Sequence, residues 1–349
     1  MPSDRKVIVT NRVFPETLSL LAPHARLEVN ETGEPWSYEE TRRRSADADA
    51  VLSFMTDKID ARFIDGCPNL HIIGAALKGY DNIDVEAAER AGVWVTIVPD
   101  LLTVPTAELA IGLMLALGRN VLKGDAGIRA QGFSGWRPSL YGTGLAGATV
   151  GLVGFGRVGQ AIAARLAAFD CRILAFDMRE SEPHELNGAV SFTGLPDLLG
   201  QADYVVLALP LKPETQHIID HGTIACMKPG ALLINPARGS LVDERAVADA
   251  IERRHLGGYA TDVFECEDWA REDRPPAIDP RLTARGAPTV LTPHIGSAVT
   301  SVRREIELSA ARSIVAALSD QIPPGAINNP KTTNGHAQPR SHENISHGA

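Results

Sequence analysis

At 349 residues the chain is long enough for two domains, and its formal net charge of −9, with no basic run to offset it, argues against a nucleic-acid surface. Four cysteines, at positions 67, 171, 226 and 266, have neither disulfide-framework nor metal-site spacing. Without a signal-peptide pattern they imply a reducing cytoplasm and no metal centre. The most apolar window, 101–118, is interrupted by Pro105 and Glu108, so it reads as a long buried helix and excludes a convincing membrane span.

The first hundred residues alternate regularly. Residues 6–10 read as a strand, 15–21 as a helix, 26–29 as a strand and 38–45 as a helix. The pattern repeats with strand 50–54, helix 61–67, strand 70–77, helix 85–91 and strand 93–98. Short strands alternating with such helices predict a parallel sheet covered on both faces. A helix over about 106–119 leaves this unit, and the stretch 124–147, with Trp136 and Tyr141, reads as irregular.

A second α/β unit begins at Thr149. Residues 148–153 form the aliphatic, β-branched run of a buried parallel strand, followed by Gly154, Gly156 and Gly159. Those spacings let a strand-to-helix turn reverse tightly, bring backbone against a pyrophosphate, and pack the next helix on the strand. That helix, 158–168, has unpaired N-terminal amides that favour an anion. A second strand, 171–176, leads to Asp177, eighteen residues past Gly159, where an acid can accept the two ribose hydroxyls of an adenosine.

Further strands are predicted at 204–209, 231–235, 258–263 and 289–292, and a helix at 299–318 is long enough to run back to the first domain. The predicted fold is therefore α/β, with two doubly wound parallel-sheet (Rossmann-like) domains. A nucleotide-binding domain, 103–302, is inserted into a discontinuous substrate domain, 1–102 and 303–329. Residues 330–349, rich in Asn, Ser, Gly, Pro and His, read as a disordered tail, with His336, His342 and His347 solvated.

Three polar residues fall just after strands of the second unit: Arg238, Glu267 and His294. In an open parallel sheet, ligands lie beyond the carboxyl ends of the strands. The three are thus expected to meet in one crevice, with Arg238 clamping an anion, His294 exchanging a proton, and Glu267 orienting the imidazole and stabilising its charged form. Singly, each has an ordinary explanation as a surface charge or a loop residue.

The ordered set GFGRVG (154–159), Asp177, NPARGSLVD (235–243), DVFECE (262–267) and PHIGS (293–297) resembles the NAD-dependent D-2-hydroxyacid dehydrogenases. Within that family the chain looks most like the phosphonate (phosphite) dehydrogenases. That likeness rests on AALKGYD (75–81), VPDLLTVPTAELAIG (98–112), GWRP (135–138), YGTGL (141–145) and VFECEDWAR (263–271) followed by DRP (273–275). It covers about residues 5–328. Family members usually carry a proline directly after the catalytic glutamate, whereas Asp268 and Trp269 stand here.

The resemblance implies oxidation of phosphite to phosphate with reduction of NAD, with Arg238, Glu267 and His294 catalytic and Met55, Lys78 and Arg303 lining the substrate site. Lys78, Arg238 and Arg303 would supply three cations to a phosphite dianion, more than a single carboxylate needs. For the cofactor, the resemblance implies contacts from Gly154, Phe155, Gly156, Arg157, Val158 and Gly159, from Asp177, from Leu209 and Pro210, and from Pro236 and Ala237 beside the ribose. Asp262 would lie near the carboxamide and Thr106 near the nicotinamide, although Thr106 alone reads as a helix cap. Asp177 would repel a 2′-phosphate and favour NAD, and Arg179 leaves room for weak NADP use.

Two alternatives share these residues. One is an ordinary D-2-hydroxyacid dehydrogenase acting on a small 2-hydroxy or 2-keto acid; the other, more distant, is a non-catalytic NAD-sensing interaction protein. The expected partners are a small anionic substrate and a second copy of the chain, through the apolar helix 109–117, with neither nucleic acid nor membrane.

Overall fold

The computed structural model describes residues 4–98, 100–178, 190–268 and 271–330. Arg179, Trp269 and the histidines at 336, 342 and 347 lie outside the described residues, as does the expected tail from residue 331. The chain divides into two compact units, one made of 1–76, 83–97 and the chain from 307, the other of 77–82 and 98–306. Within the second unit, Lys78 and Asp81 of the short piece 77–82 bond to Thr103 and Arg238.

The first unit contains β1 (Lys6–Val9), α1 (Pro15–Leu21), β2 (Arg26–Val29), α2 (Tyr38–Ser45), β3 (Ala50–Ser53), α3 (Ala61–Asp65), β4 (Ile72–Ala75), α4 (Val85–Arg90) and β5 (Trp94–Thr96). Its five strands are all parallel, in the order β2-β1-β3-β4-β5. Every residue of β1, β3 and β4 is buried, as continuous aliphatic runs in a doubly covered sheet require. Ser37, Asp60 and Asp84 start their helices by accepting from the amides of Glu40, Phe63 and Ala87.

The C-terminal segment completes this unit. Phe14 precedes α1 and offers no side-chain cap; Glu307, from the last helix, instead accepts from the Phe14 amide at 2.8 Å and from Thr17 Oγ1 at 3.3 Å. Along the open edge of β5, Asn328 accepts from Val95 N and donates to Val93 O, both at 2.9 Å. Covering that edge removes a template for unwanted strand pairing.

The second unit runs α5 (Thr103–Gly118), α6 (Val121–Gln131), β6 (Thr149–Val153), α7 (Arg157–Leu166), β7 (Arg172–Phe176), β8 (Val190–Phe192), α8 (Leu195–Gln201), β9 (Tyr204–Leu207), α9 (His221–Ala225), β10 (Ala231–Asn235), α10 (Glu244–Glu252), β11 (Leu256–Thr261), α11 (Pro280–Thr283) and β12 (Thr289–Leu291). The last helix, α12 (Thr300–Leu318), begins here and ends in the first unit. The seven strands are parallel, in the order β12-β11-β10-β9-β6-β7-β8. Strand order therefore reverses between β6 and β9, which opens a crevice at their carboxyl ends.

Strand β8 is not among the expected elements at all, and two helices also differ from expectation. Helix α5 starts at Thr103 rather than 106, since Pro105 falls among the first residues, whose amides have no helical acceptor in any case. Residues 121–131 form α6 although they read mostly as irregular; two glycines depress their propensity and no residue of α6 is buried, so no apolar stripe announces the helix. An Asp125–Arg129 ion pair at 2.7 Å lies along it. Among the described residues no helix is long and apolar enough to cross a membrane.

Candidate active site

The glycine turn occupies the crevice where the strand order reverses. Gly154 has φ of +100°, which side chains rarely adopt, and a β-carbon there would stand 2.6 Å from Ala208 O in the loop after β9. A β-carbon on Gly159 would lie 2.4 Å from Gly154 O, so α7 sits hard against the turn. At Gly156 the added carbon would meet nothing within 4 Å, which leaves that side of the loop open to an incoming group. Gly156 is also the N-cap of α7 and supplies no side-chain acceptor to its first amides. Those uncapped amides suit a phosphate.

Asp177, directly after β7, accepts from Phe155 N at 2.7 Å, so the acid is fastened beside the turn. Phe155 is buried and meets Phe192 edge-on at 5.1 Å. Arg157, the first residue of α7, pairs with Asp100. Val158 follows it and is half-buried. Strand β9 ends at Leu207, short of the expected 209, so Leu209 and Pro210 lie in the loop after it, where Pro210 O accepts from Thr215 Oγ1 at 2.8 Å. These residues fit a dinucleotide at this turn.

Arg238 is placed by a buried asparagine. Asn235, at the end of β10 and fully buried, accepts from Ala237 N at 3.1 Å and donates to Arg238 O at 2.8 Å, which shapes the turn through Pro236 and Ala237. The guanidinium then donates from Nε to Asp81 Oδ1 at 3.0 Å and from Nη1 to Ala237 O at 2.9 Å. It passes so close to Gly79 that a β-carbon there would lie 1.9 Å from Nη2. Lys78, the next residue back, donates to Thr103 Oγ1 at 3.2 Å. Burial and the nearby charge of Arg157 push its pKa below the usual lysine range.

Glu267 ends a single helical turn, Glu265–Glu267, after β11. Its Oε1 accepts from Phe264 N at 2.9 Å, which leaves Oε2 for His294 Nδ1 at 3.0 Å. His294 has φ of +54°, an uncommon backbone region for histidine. Asp262 holds it there. Its carboxylate accepts from Thr292 Oγ1 at 2.6 Å, Ile295 N at 2.8 Å and Gly296 N at 2.7 Å, while its carbonyl accepts from His294 N at 2.8 Å. Burial raises the Asp262 pKa, and these hydrogen bonds and the charge of His294 oppose the rise.

Thr106 does not cap α5; its hydroxyl donates back to Leu102 O at 2.7 Å, inside the helix, and lies 3.5 Å from the β-carbon position of Gly296. Arg303 is half-buried in the first turn of α12. Met55 belongs to the first unit, after β3, where buried Asp57 accepts from Phe54 N at 2.7 Å and from Thr10 Oγ1 at 2.5 Å. Burial lifts the Asp57 carboxyl to about 6.

The structure thus joins Glu267 to His294, Arg238 to Asp81 and the glycine turn to Asp177. Sequence reading noted Asp268 only as standing where the family has proline, and gave no role to Asp81 or Arg271. All three appear inside quoted motifs, but no local pattern marks a carboxylate that pairs with an arginine 157 residues away. Among the described residues no His, Cys, Asp or Glu group could hold a metal ion.

A doubly wound sheet with an uncapped glycine turn at its switch point, an acid beside that turn and a His–Glu pair beyond a strand end defines an NAD-dependent oxidoreductase. The profile of the D-isomer specific 2-hydroxyacid dehydrogenase NAD-binding domain matches residues 111–296. The chain belongs to this family and carries its NAD-binding domain. It is 40% identical over 328 residues to a protein named glyoxylate reductase from Thermofilum pendens, covering 93% of this chain and 94% of that one. A glyoxylate reductase of Pyrococcus furiosus is 36% identical, with 93% and 95% covered. Among solved structures, a putative D-isomer specific 2-hydroxyacid dehydrogenase from Polaromonas superposes with a TM-score of 0.83 at 33% identity, covering 93% of this chain and 99% of that chain.

Proposed function

We propose that the protein is an NAD-dependent dehydrogenase of small 2-hydroxy acids, working equally as a reductase of 2-keto acids such as glyoxylate. The observation that carries this reading is the pairing of His294 with Glu267 in the chain that also sets Arg238 by Asp81. The glycine turn and Asp177 would hold NAD, which would supply the acceptor for the C2 hydride of a hydroxy acid and, in its reduced form, the hydride donor to a keto acid. Arg238 binds the carboxylate through its guanidinium fork. His294 Nε2 takes the hydroxyl proton as the C2–O bond becomes a carbonyl, and gives it back in the reverse direction. Glu267 fixes the ring through Nδ1, so that Nε2 is the nitrogen facing substrate. Lys78 and Arg303 add positive charge, Met55 fills the apolar side of the substrate, and Thr106 and Asp262 lie towards the nicotinamide.

A second reading, oxidation of phosphite, is favoured by one departure from the family pattern. Asp268 replaces the usual proline, is buried, and accepts from Ser240 N at 2.6 Å, so the departure is built into the turn beside Glu267. There His294 would deprotonate a water attacking phosphorus as the P–H bond breaks, with NAD as the acceptor that the hydride would require. The charge argument for a dianion is weaker than the sequence suggests, because Asp81 already compensates Arg238. The named relatives also favour the keto-acid reading.

One experiment separates the readings. Purified protein is followed by NADH absorbance with NAD and glycolate, D-lactate or phosphite, and with NADH and glyoxylate or pyruvate. Turnover on the organic acids supports the first reading. Turnover on phosphite alone replaces it with the second, and silence with intact NAD binding leaves a non-catalytic NAD sensor. We also propose a homodimer, which the exposed apolar side chains of 121–141 support, and a cytoplasmic location, which rests on cysteine usage alone.

A further inference from the structure

The turn that carries Arg238 and the turn that carries Glu267 touch through their backbones. A β-carbon on Gly239 would lie 1.9 Å from Phe264 C and 2.3 Å from Glu265 N, so only glycine fits between them. Behind this contact lies a polar brace that the reaction itself does not use. Arg271, its side chain only 12% exposed, donates from Nη1 both to Ser240 Oγ at 2.8 Å and to Glu265 Oε1 at 3.0 Å. Its Nε and Nη2 meet Asp273 Oδ1 and Oδ2 at 3.1 and 3.0 Å. Ser240 N donates to Asp268 Oδ2, and Arg271 N donates to Asp268 O at 2.9 Å. His217 joins from a third loop, its Nε2 2.5 Å from Glu265 Oε1 and its amide donating to Ser240 O at 2.8 Å.

Three anchor points of this brace lie next to reacting groups. Ser240 is two residues after Arg238, Glu265 is two before Glu267, and Asp268 directly follows Glu267. Guanidinium geometry is what the arrangement demands: one nitrogen bridges two turns while the other edge of the fork is anchored on Asp273. A lysine ammonium, a point charge on a flexible stem, cannot hold three acceptors in that plane.

We propose that Arg271 is a positioning residue of the acid-binding and proton-transfer site, setting the distance between Arg238 and the Glu267–His294 pair by cross-linking their two turns. This rests on the assignment of Arg238 as the carboxylate clamp. A shift of about 1 Å between such groups costs up to about a hundredfold in rate. The brace therefore acts on acid binding and on turnover, and leaves the glycine turn untouched.

The test compares Arg271→Met, Arg271→Lys and Ser240→Ala with the wild type, using Arg238→Lys as the control for the underlying assignment. Each is assayed for KM of the organic acid, KM of NAD, kcat and thermal unfolding. Arg271→Met is expected to raise the KM of the acid about tenfold or more and to lower kcat, with the KM of NAD within about twofold of wild type. Arg271→Lys is expected to restore little of the loss, and Ser240→Ala to move the same constants by a smaller factor. Wild-type acid KM in folded Arg271→Lys and Ser240→Ala, or a parallel loss of NAD affinity, overturns the proposal. If Arg238→Lys leaves the KM of the acid unchanged, the clamp assignment fails instead, and the two failures are told apart.

Discussion

Arg238 and Asp81 form an ion pair at 3.0 Å, with side chains only 15% and 19% exposed, across 157 residues of sequence. The carboxylate does two separable things to the guanidinium: it aims it, by accepting from Nε, and it offsets part of its charge. Asp81→Asn keeps an acceptor and removes the charge. It is expected to leave the KM of an anionic substrate unchanged or lower it by up to about threefold. Asp81→Ala removes both, and losing a charge-assisted hydrogen bond of about 1.5–3 kcal/mol is expected to raise that KM about tenfold to a hundredfold. Steady-state kinetics on the two variants checks the pair; equal effects would show that aim and charge are not separable here.

Asp262 sits behind His294 in a similar way. Its carboxylate gathers a hydroxyl and two amides of the 292–296 turn, and so stabilises a histidine at φ of +54°. Asp262→Asn turns one acceptor oxygen into a donor and leaves a buried amide or hydroxyl without a partner, which costs about 1–3 kcal/mol. A fall in kcat of about tenfold or more and a lowered unfolding temperature are expected. Thr292→Val removes the hydroxyl that donates to Asp262 and, more weakly at 3.5 Å, to Thr261 O, and is expected to cost about 1 kcal/mol of stability and less of the rate. Thermal melts and kcat, measured side by side, test the order of the two variants.

Much of this architecture is written locally. Continuous aliphatic runs such as 231–235 and the glycine spacing at 154–159 follow from burial and backbone sterics, which operate over a few residues. The strand-end positions of Arg238, Glu267 and His294 follow from the same alternation. What sequence did not display were the partners. Asp81 and Arg271 stand in motifs without a role of their own and Asp268 reads only as a substitution for proline, because their meaning arises only when separate loops meet. Helix α6 was obscured for the opposite reason: it buries nothing, so no periodic stripe records it.

Glu244 supplies a pH dependence of stability. It is 2% exposed, accepts from Glu265 N at 3.0 Å, and has its second oxygen buried without a hydrogen-bond partner. Burial, helped by the charge of Glu265, lifts its carboxyl to about 7, well above the 4.5 of an ordinary glutamate. Because the folded-state value is raised, the neutral form favours folding. That contribution is fully present below about 4.5 and is lost as pH rises through about 7. Glu244→Gln keeps the acceptor and cannot ionise. It is expected to stabilise the protein at pH 8 by up to about 3 kcal/mol, since each pH unit between the unfolded and folded values is worth about 1.4 kcal/mol, and to give no such gain near pH 4. Denaturant unfolding at the two pH values decides it; a gain that does not change with pH would assign the effect to packing.

The surface of the second unit carries its own expectation. The apolar residues of α5 are spent inside the chain, with Ala107, Ala110, Leu113 and Met114 buried, so that helix does not offer the broad face to a partner that its composition suggests. A run of exposed apolar side chains lies just beyond it: Val121, Leu122 and Ile128 on α6, then Phe133, Trp136 and Tyr141, the last three 74%, 77% and 79% exposed. Concentration of large aromatic side chains in about twenty residues is unusual for a surface that faces only water, and it suits a self-complementary interface between two copies. Light scattering after gel filtration is expected to give twice the chain mass. Trp136→Glu would place a charge within that interface, where burying it unpaired is costly, and is expected to shift the mass to that of one chain at micromolar concentration. Its unfolding temperature should then lose the concentration dependence that a dimer confers. A wild-type protein that elutes and scatters as a single chain would return these aromatics to another role.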